Sequence, residues 1–440
     1  MLQRIFTAIL IIGFKLLLAG DKTSSFTKIT KDVIISTTLV SPVITKNINI
    51  EKDFNVLIVA DGSFSPYTRN GIAKVLIQID GKNSYSNTSV IDWQHSNNPQ
   101  THGFNCIASI KLSKGQHTIR LVAFADKTTP NSNFKINQGS GLSILVDAAP
   151  NMIDSKLSKE SELINYKTFP KDGKVPVPMT TILTNQVNVG DEQTNVITLS
   201  SGSSYGYCGE GDALWGVFIN DEICTNNRNS LWSVNDLITG AELKAPMFSH
   251  AFHQLKGKNT ISLKAGELAF NYFENQACYR VAPDTRLVSL YGMKLSGRAV
   301  LSNNYCNREE WGCFGTSNKV SYCTPIGERR EYAILNVDIP KDHNGIILFM
   351  TKVRLQPGRD DLGGKASIWL NIDGKDVGTI GIQDYKFPNC ESSRTLSASF
   401  LTSDNNRLSP GKHEVRVYLQ AEGNFNTISY SIDLPLVYLD

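Results

Sequence analysis

The sequence predicts an all-β protein of three tandem β-sandwich domains behind a signal peptide. Short runs rich in Val, Ile, Leu, Tyr and Thr alternate with Gly, Asn, Asp, Ser and Pro along the 440 residues, and this is the pattern of strands joined by turns. One strand and turn pattern recurs three times, at a spacing of about 140 residues. Residues 1–20 form an apolar segment of the kind that directs export.

The first twenty residues have the features of a secretory signal. Arg4 precedes an uncharged run from Ile5 to Phe14, which is too short to cross a bilayer, and small residues follow at Ala19 and Gly20. Residues 1–20 are therefore predicted to be a signal peptide, and the mature chain to be secreted, extracellular or periplasmic, without a membrane span. The alternative is a buried strand or helix at the N-terminus.

Charge excludes one class of partner. The chain has 44 Lys and Arg against 41 Asp and Glu, a formal charge of +3, and loss of Arg4 and Lys15 with the export segment brings it closer to zero. A nucleic-acid-binding protein usually shows a marked basic excess or patch, so no nucleic-acid partner is expected.

The repeat begins with an apolar strand that ends in a tight turn. Its three copies are Val75 to Ile79 before Asp80-Gly81, Trp215 to Ile219 before Asn220-Asp221, and Ile368 to Ile372 before Asp373-Gly374. These dipeptides tolerate the positive φ angles of a hairpin turn.

A second block follows each turn and carries a polar residue at a fixed place. The three versions are Gly115-x-His117, Gly257-x-Asn259 and Gly411-x-His413, each leading into an alternating strand. Because His117, Asn259 and His413 occupy one repeat position, we expect a ring or amide that hydrogen-bonds the turn rather than a catalytic group. Domain bounds are predicted at residues 21–150, 151–300 and 301–440.

The turn dipeptide, together with the strand blocks from Leu112 to Leu121 and from Leu408 to Val417, resembles a motif of jelly-roll heads. The nearest resemblances are to tumour-necrosis-factor/C1q-like (TNF/C1q-like) heads and to jelly-roll carbohydrate-binding modules. The resemblance implies jelly-roll-like domains of eight or ten strands and a binding role, and it assigns no functional residue. Such heads often work as trimers, so three copies in one chain suggest a pseudo-threefold unit.

Aromatic residues are the predicted ligand contacts. Trp369 has the opposite parity to Leu370 and Ile372 and should face away from the core, either as a sugar-stacking platform or under a neighbouring domain. Glu310 and Trp311 lie in a recognition loop between Cys306 and Cys313. Tyr205 and Tyr207 form a similar loop in the second copy.

Carboxylates give two further hypotheses. Asp360 and Asp361 lie on a glycine-rich loop whose oxygen atoms could hold Ca²⁺, and the alternative is a solvated turn. Paired acids could hydrolyse glycans; the available residues are Glu210, Asp212, Glu222, Glu309, Glu310, Asp360 and Asp361. No other cofactor is expected.

In an exported protein the eight cysteines are predicted first as disulfides. Cys306–Cys313 and Cys323–Cys390 are the favoured pairs, and Cys208, Cys224 and Cys278 are further candidates. Either Cys106 is bridged to the second copy, or Cys106 and one middle cysteine stay free.

The function predicted from these features is a secreted, non-enzymatic binding protein for carbohydrate or a cell surface, in recognition or adhesion. One alternative is a secreted hydrolase of glycans or glycoproteins, with carboxylates in loops between domains. A second is a self-assembling surface protein.

Overall fold

We describe a computed structural model of the chain. It describes residues 24–68, 71–83, 85–92, 102–128, 131–162, 164–166, 179–206, 211–223, 243–269, 279–293, 295–302, 329–341, 344–357, 364–385, 394–402, 407–423 and 425–439. This part of the chain is all-β and forms six sheets. Neighbouring strands are antiparallel, apart from one parallel pair described below.

The strands fall into three groups that share no sheet. The first unit holds β1 (Ser25–Lys28), β2 (Val33–Ile35), β3 (Ser41–Ile50), β4 (Phe54–Pro66), β5 (Ile72–Ile79), β6 (Thr88–Asp92), β7 (His102–Leu112), β8 (Gly115–Ala125), β9 (Phe134–Ile136) and β10 (Gly141–Val146). The second unit holds β11 (Asn151–Lys156), β12 (Ser161–Glu162), β13 (Ile164–Tyr166), β14 (Thr180–Asn188), β15 (Thr194–Gly206), β16 (Gly211–Ile219), β17 (Glu222–Ile223), β18 (Leu243–Leu255), β19 (Lys258–Ala269), β20 (Tyr279–Val281) and β21 (Arg286–Met293). The third unit holds β22 (Leu295–Ser302), β23 (Arg329–Ile339), β24 (Asn344–Pro357), β25 (Gly364–Ile372), β26 (Lys375–Tyr385), β27 (Arg394–Leu401), β28 (Gly411–Gly423) and β29 (Phe425–Leu439).

All three units have one strand order. One sheet of each contains β1-β10-β4-β7, β11-β21-β15-β18 or β22-β29-β24-β27, and we call it the inner sheet. The other contains β3-β8-β5-β6, β14-β19-β16-β17 or β23-β28-β25-β26, and we call it the outer sheet. This is the order of an eight-strand jelly roll, so the predicted fold class and the predicted internal repeat are confirmed. The parallel pair is β13 with β19, an addition to the second unit.

The repeated turns have the predicted conformation. Both central residues have positive φ in each copy: 49° and 79° at Asp80-Gly81, 50° and 65° at Asn220-Asp221, and 51° and 79° at Asp373-Gly374. Asn220-Asp221 joins β16 to β17 and Asp373-Gly374 joins β25 to β26 within the outer sheets. Asp80-Gly81 begins the connection from β5 to β6, where Ile79 bridges Lys82. The twist of a turn with two positive φ angles suits a two-residue hairpin.

A glycine in the third strand of the jelly roll marks a second equivalence between the first two units. A Cβ on Gly62 would lie 2.0 Å from Ser140 Oγ, and one on Gly202 would lie 2.2 Å from Thr285 Oγ1. Both hydroxyls are buried and donate to a carbonyl three residues earlier in the chain, at 2.8 Å. The loop before the eighth strand thus packs directly on the sheet in both units, and only glycine leaves room for it.

Alternate residues of the inner sheets point away from their own sandwich and meet residues of the other two units. Equivalent positions on the third strands of all three jelly rolls contribute, such as Val59, Leu199 and Leu348. The buried members of this central cluster are Leu57, Val59, Ile107, Leu145, Ala148, Ala149, Ile197, Leu199, Phe248, Phe252, Val288, Leu290, Ile346, Leu348, Met350 and Leu401. The arrangement agrees with the expected pseudo-threefold unit.

The described part of the chain also shows whether one of the cysteines, Cys106, forms a disulfide. Cys106 is unpaired and fully buried inside the first sandwich, where its Sγ lies 3.2 Å from the Val75 carbonyl. A bridge from Cys106 to the second copy is therefore wrong, and the alternative with a free Cys106 holds. Burial raises the pKa of this thiol to about 12, so it is inert at neutral pH.

Two expectations stay predictions. Residues 1–20 lie outside the described ranges, so export is not tested, and the domain bounds are not tested either. Within those ranges, no helix has the length and apolar character needed to cross a bilayer.

Candidate functional site

Trp369 lies on the solvent side of the third unit's outer sheet. Its neighbour Leu370 is fully buried and Ile372 is 6% exposed, whereas Trp369 is partly exposed. The parity argument from the sequence is therefore confirmed, because alternate residues of β25 point to opposite sides of the sheet. Trp369 is thus not fully buried.

The strand register places a second aromatic residue beside Trp369. Tyr418 on β28 is directly opposite Trp369 and is also partly exposed. Residues opposite each other across antiparallel strands have their Cβ atoms about 5 Å apart, so the two aromatic side chains are neighbours on the same side of the sheet.

Polar groups border this pair. In the next row across the sheet, Ile334, Arg416 and Asn371 lie opposite one another, and Asp376 follows on β26. The Asn371 amide donates to Asp376 Oδ1 at 2.9 Å. We call the surface formed by Glu331, Ile334, Trp369, Asp376, Arg416 and Tyr418, together with the largely buried Asn371, the Trp369 face.

Arg416 is the cation of the Trp369 face, and it is held by carboxylates. Its Nε donates to Glu414 Oε1 at 2.6 Å and its Nη1 donates to Glu331 Oε2 at 2.7 Å. Hydrogen bonds to Glu414, Glu331 and the Tyr418 side chain raise the pKa of Arg416, and the bond from Arg416 lowers the pKa of Glu414. The guanidinium is permanently charged and fixed beside the Tyr418 ring.

The matching positions of the other two units carry no such pair. In the first unit, Leu76 lies opposite Val122, and both are buried. In the second unit, Gly216 lies opposite Lys264. The sandwich is common to all three units, whereas the exposed aromatic pair is particular to the third.

The repeated histidines bind the turns, as predicted. His117 Nδ1 is 2.7 Å from Asp80 Oδ2, and Nε2 is 2.9 Å from the Ser113 carbonyl. His413 makes the same two contacts with Asp373 and the Ser409 carbonyl, each at 2.7 Å. These residues clamp the two turns at one end of the outer sheet.

The protonation of these histidines follows from their partners. A carboxylate and a carbonyl only accept, so both ring nitrogens are satisfied only in the imidazolium. Burial alone would lower the pKa of His117, but the bonds to Asp80 and to the Ser113 carbonyl outweigh it and raise the pKa. In the second unit the neutral Asn259 takes this place and donates to the carbonyls of Lys256 and Gly257.

One buried acid lies between the first and third units. Asp61 on β4 is 4% exposed, and its Oδ2 accepts from the Ser399 amide at 2.7 Å and from the Ser399 hydroxyl on β27. Burial raises the pKa of Asp61 to about 7 despite these two bonds. Asp61 is thus a hydrogen-bonded contact between the first and third units.

A polar junction also joins the first and second units. The Asn87 amide donates to the Asn105 carbonyl at 3.2 Å and to Ser201 Oγ at 3.1 Å, and Ser201 donates to the same carbonyl at 2.9 Å. Asn87 is fully buried.

Most of the other residues singled out from the sequence lie outside the described residues. These are Trp311, Tyr207, Glu310, the metal candidates Asp360 and Asp361, and the disulfide candidates Cys208, Cys224, Cys278, Cys306, Cys313, Cys323 and Cys390. The placement of Tyr205 in a loop is wrong, because Tyr205 lies within β15 and pairs with Lys244 and Arg280 in the sheet. Only the backbone of Tyr205 is described. Among the described side chains, no group of three His, Cys, Asp or Glu could hold a metal ion.

Sequence reasoning missed Tyr418 and Arg416. The signal was present, because Glu414, Arg416 and Tyr418 alternate with the buried residues Val415 and Val417. That alternation places all three on the solvent side of β28. It does not say which strand lies beside them.

No protein-family model matches the chain, and no curated protein sequence matches it. Among solved structures, the chain is similar to the C-terminal domain of EclA, a sugar-binding protein, at 16% identity over 29% of this chain and 86% of that one, with a TM-score of 0.18. It is similar to N-glycanase F (PNGase F) at 11% identity over 66% and 95%, with a TM-score of 0.30. It is similar to PNGF-II at 10% identity over 87% and 99%, with a TM-score of 0.31. At these scores the similarities carry no argument about function, and the jelly-roll assignment rests on the strand order.

Proposed function

We propose that this protein is a secreted, non-enzymatic carbohydrate-binding protein whose ligand stacks on the Trp369 face. The observation that carries the proposal is the placement of Trp369 opposite Tyr418 on the solvent side of β25 and β28. An aromatic ring offers a flat apolar surface with a polar edge, and such a surface suits the C–H face of a pyranose ring.

Polar groups around the pair supply the other half of sugar recognition. Glu331 lies in the row that contains the two rings, and Arg416 and Asp376 lie in the next row. Glu414, the other partner of Arg416, precedes it by two residues on β28. A ligand site commonly combines an apolar surface with a few fixed polar groups that orient the ligand. Hydroxyl groups of a sugar can donate to these carboxylates.

The comparison between units supports the proposal. The same fold places Leu76 or Gly216 where the third unit has Trp369. If the aromatic pair served only to stabilise the sandwich, the equivalent positions of the other units would need it as well. Its restriction to one exposed surface favours a ligand.

The test is a glycan array with the mature protein, scored for both retention and cleavage. Trp369→Ala should abolish retention, because it removes the stacking surface. Tyr67→Ala is the matched control, since Tyr67 is an aromatic side chain 56% exposed in the first unit. Near-ultraviolet circular dichroism should show that both variants keep the wild-type fold.

The outcomes separate the alternatives. Retention that survives Trp369→Ala would refute this site, and cleavage of arrayed glycans would favour the hydrolase alternative. A concentration-dependent mass in light scattering would favour the self-assembling alternative.

A further inference from the structure

The charged side chains of the Trp369 face determine whether it favours neutral or charged glycans. The row that contains Trp369 and Tyr418 begins at Glu331, and the next row contains Ile334, Arg416, Asn371 and Asp376. Within these two rows Arg416 is the one cation, and two carboxylates lie there with it. Glu414, the second partner of Arg416, adds a third carboxylate in the row beyond the second, and Arg329 lies in the row on the other side of Trp369, opposite Gln420.

The guanidinium is already paired with two carboxylates. Nε and Nη1 of Arg416 already donate to Glu414 and Glu331, at 2.6 and 2.7 Å, and the group also hydrogen-bonds the Tyr418 side chain. A carboxylate or sulfate on a ligand that approaches Arg416 would also approach the carboxylates of Glu331, Glu414 and Asp376. Like charges placed together in an interface oppose binding.

From this geometry we infer that the Trp369 face accepts neutral glycans and rejects glycans that carry carboxylate or sulfate groups. The inference rests on the proposed function. Arg416 is a positioning residue in this arrangement: it holds Tyr418 beside Trp369, and its two carboxylate partners set the sign of the local potential.

The experiment compares two panels of probes by titration calorimetry at low ionic strength. The neutral panel contains hexaoses of glucan, mannan, xylan and galactan, and the anionic panel contains oligogalacturonate, oligoalginate and hyaluronan fragments. We expect binding within the neutral panel, lost in Trp369→Ala, and no binding within the anionic panel.

A double variant removes two of the three carboxylates and leaves both aromatic residues in place. Glu331→Gln with Glu414→Gln should free the guanidinium and raise affinity for the anionic panel by about tenfold, an effect that added salt reduces. The control is Glu51→Gln with Glu192→Gln, two exposed acids of the other units, which changes the net charge equally and should leave both panels unaffected.

The possible failures are distinct. An anionic probe that binds the wild-type protein and is lost in Trp369→Ala overturns the inference and leaves the proposed function standing. An unchanged anionic panel in the double variant also overturns the inference. Binding of neither panel, or binding that Trp369→Ala does not alter, overturns the proposed function itself.

Discussion

Replacing Asp61 by asparagine should make the protein more stable at neutral and alkaline pH. Asp61 is 4% exposed at the contact between the first and third units, and its described partners are the amide and hydroxyl of Ser399. Both partners donate, so the carbonyl oxygen of an asparagine can accept the same two bonds. The substitution therefore removes the charge and keeps the contact.

The size of the effect follows from the pKa. Burial raises the pKa of Asp61 from 3.8 to about 7, and a difference of this size corresponds to about 4 kcal/mol. The folded protein holds the Asp61 proton more tightly than the unfolded chain does, so the contribution of Asp61 to stability falls as the pH rises from about 4 to about 7 and is level above that. Asp61→Asn should raise the free energy of unfolding by about 2–4 kcal/mol at pH 8 and change it little at pH 4.

Urea titrations of wild type and Asp61→Asn between pH 4 and pH 8.5 measure this difference directly. Asp32→Asn is the control. Burial would raise the pKa of Asp32, but the bonds from Lys135 and the Gln138 amide outweigh it and lower the pKa. The contribution of Asp32 to stability is therefore present above pH 3.8 and is lost only as the pH falls through the lowered pKa. The Asp32→Asn difference should thus stay constant between pH 5 and pH 8. Parallel curves for wild type and Asp61→Asn would show that the carboxyl is not desolvated and would refute its placement between the units.

Three further predictions test other parts of the structure. His117→Asn should destabilise the protein by about 0.5–1 kcal/mol at pH 5.5, and thermal melts above pH 8 should show no difference from wild type. The reason is the raised pKa of His117, since the bonds of the imidazolium stabilise the fold at low pH and are lost as the pH rises. An equal loss of stability at both pH values would contradict the assigned imidazolium. Gly62→Ala should cost about 1–3 kcal/mol in urea unfolding, since its Cβ would meet the buried Ser140 hydroxyl, and a neutral effect would show that the loop does not pack on β4. Leu199→Ala, in the central cluster and fully buried, should cost about 2–5 kcal/mol and reduce hydrogen-exchange protection in all three units, whereas a loss confined to the second unit would argue against a shared cluster.

The sequence supports part of the candidate site and not the rest. Alternation along β25 is enough to place Trp369 outside the core, because Leu370 and Ile372 fix the parity. Tyr418 is far from Trp369 in the chain, and its position beside Trp369 depends on the register between β25 and β28. Register is set by long-range pairing and by the bulges of the sheet, which one sequence does not reveal.

By itself the sequence determined the all-β class, the three copies and the conformation of their turns, because hydrophobic alternation and positive-φ dipeptides act over a few residues. It also identified His117 and His413 as turn clamps, since the position recurs. Only the tertiary structure decided what covers the outward sides of the inner sheets. Val59, Leu199 and Leu348 alternate like any strand residues, and the same parity that would expose them to water instead buries them in the central cluster that the three units share. Parity fixes the side of a sheet on which a residue lies, whereas burial, and with it the raised pKa of Asp61, depends on which distant surface packs against that side.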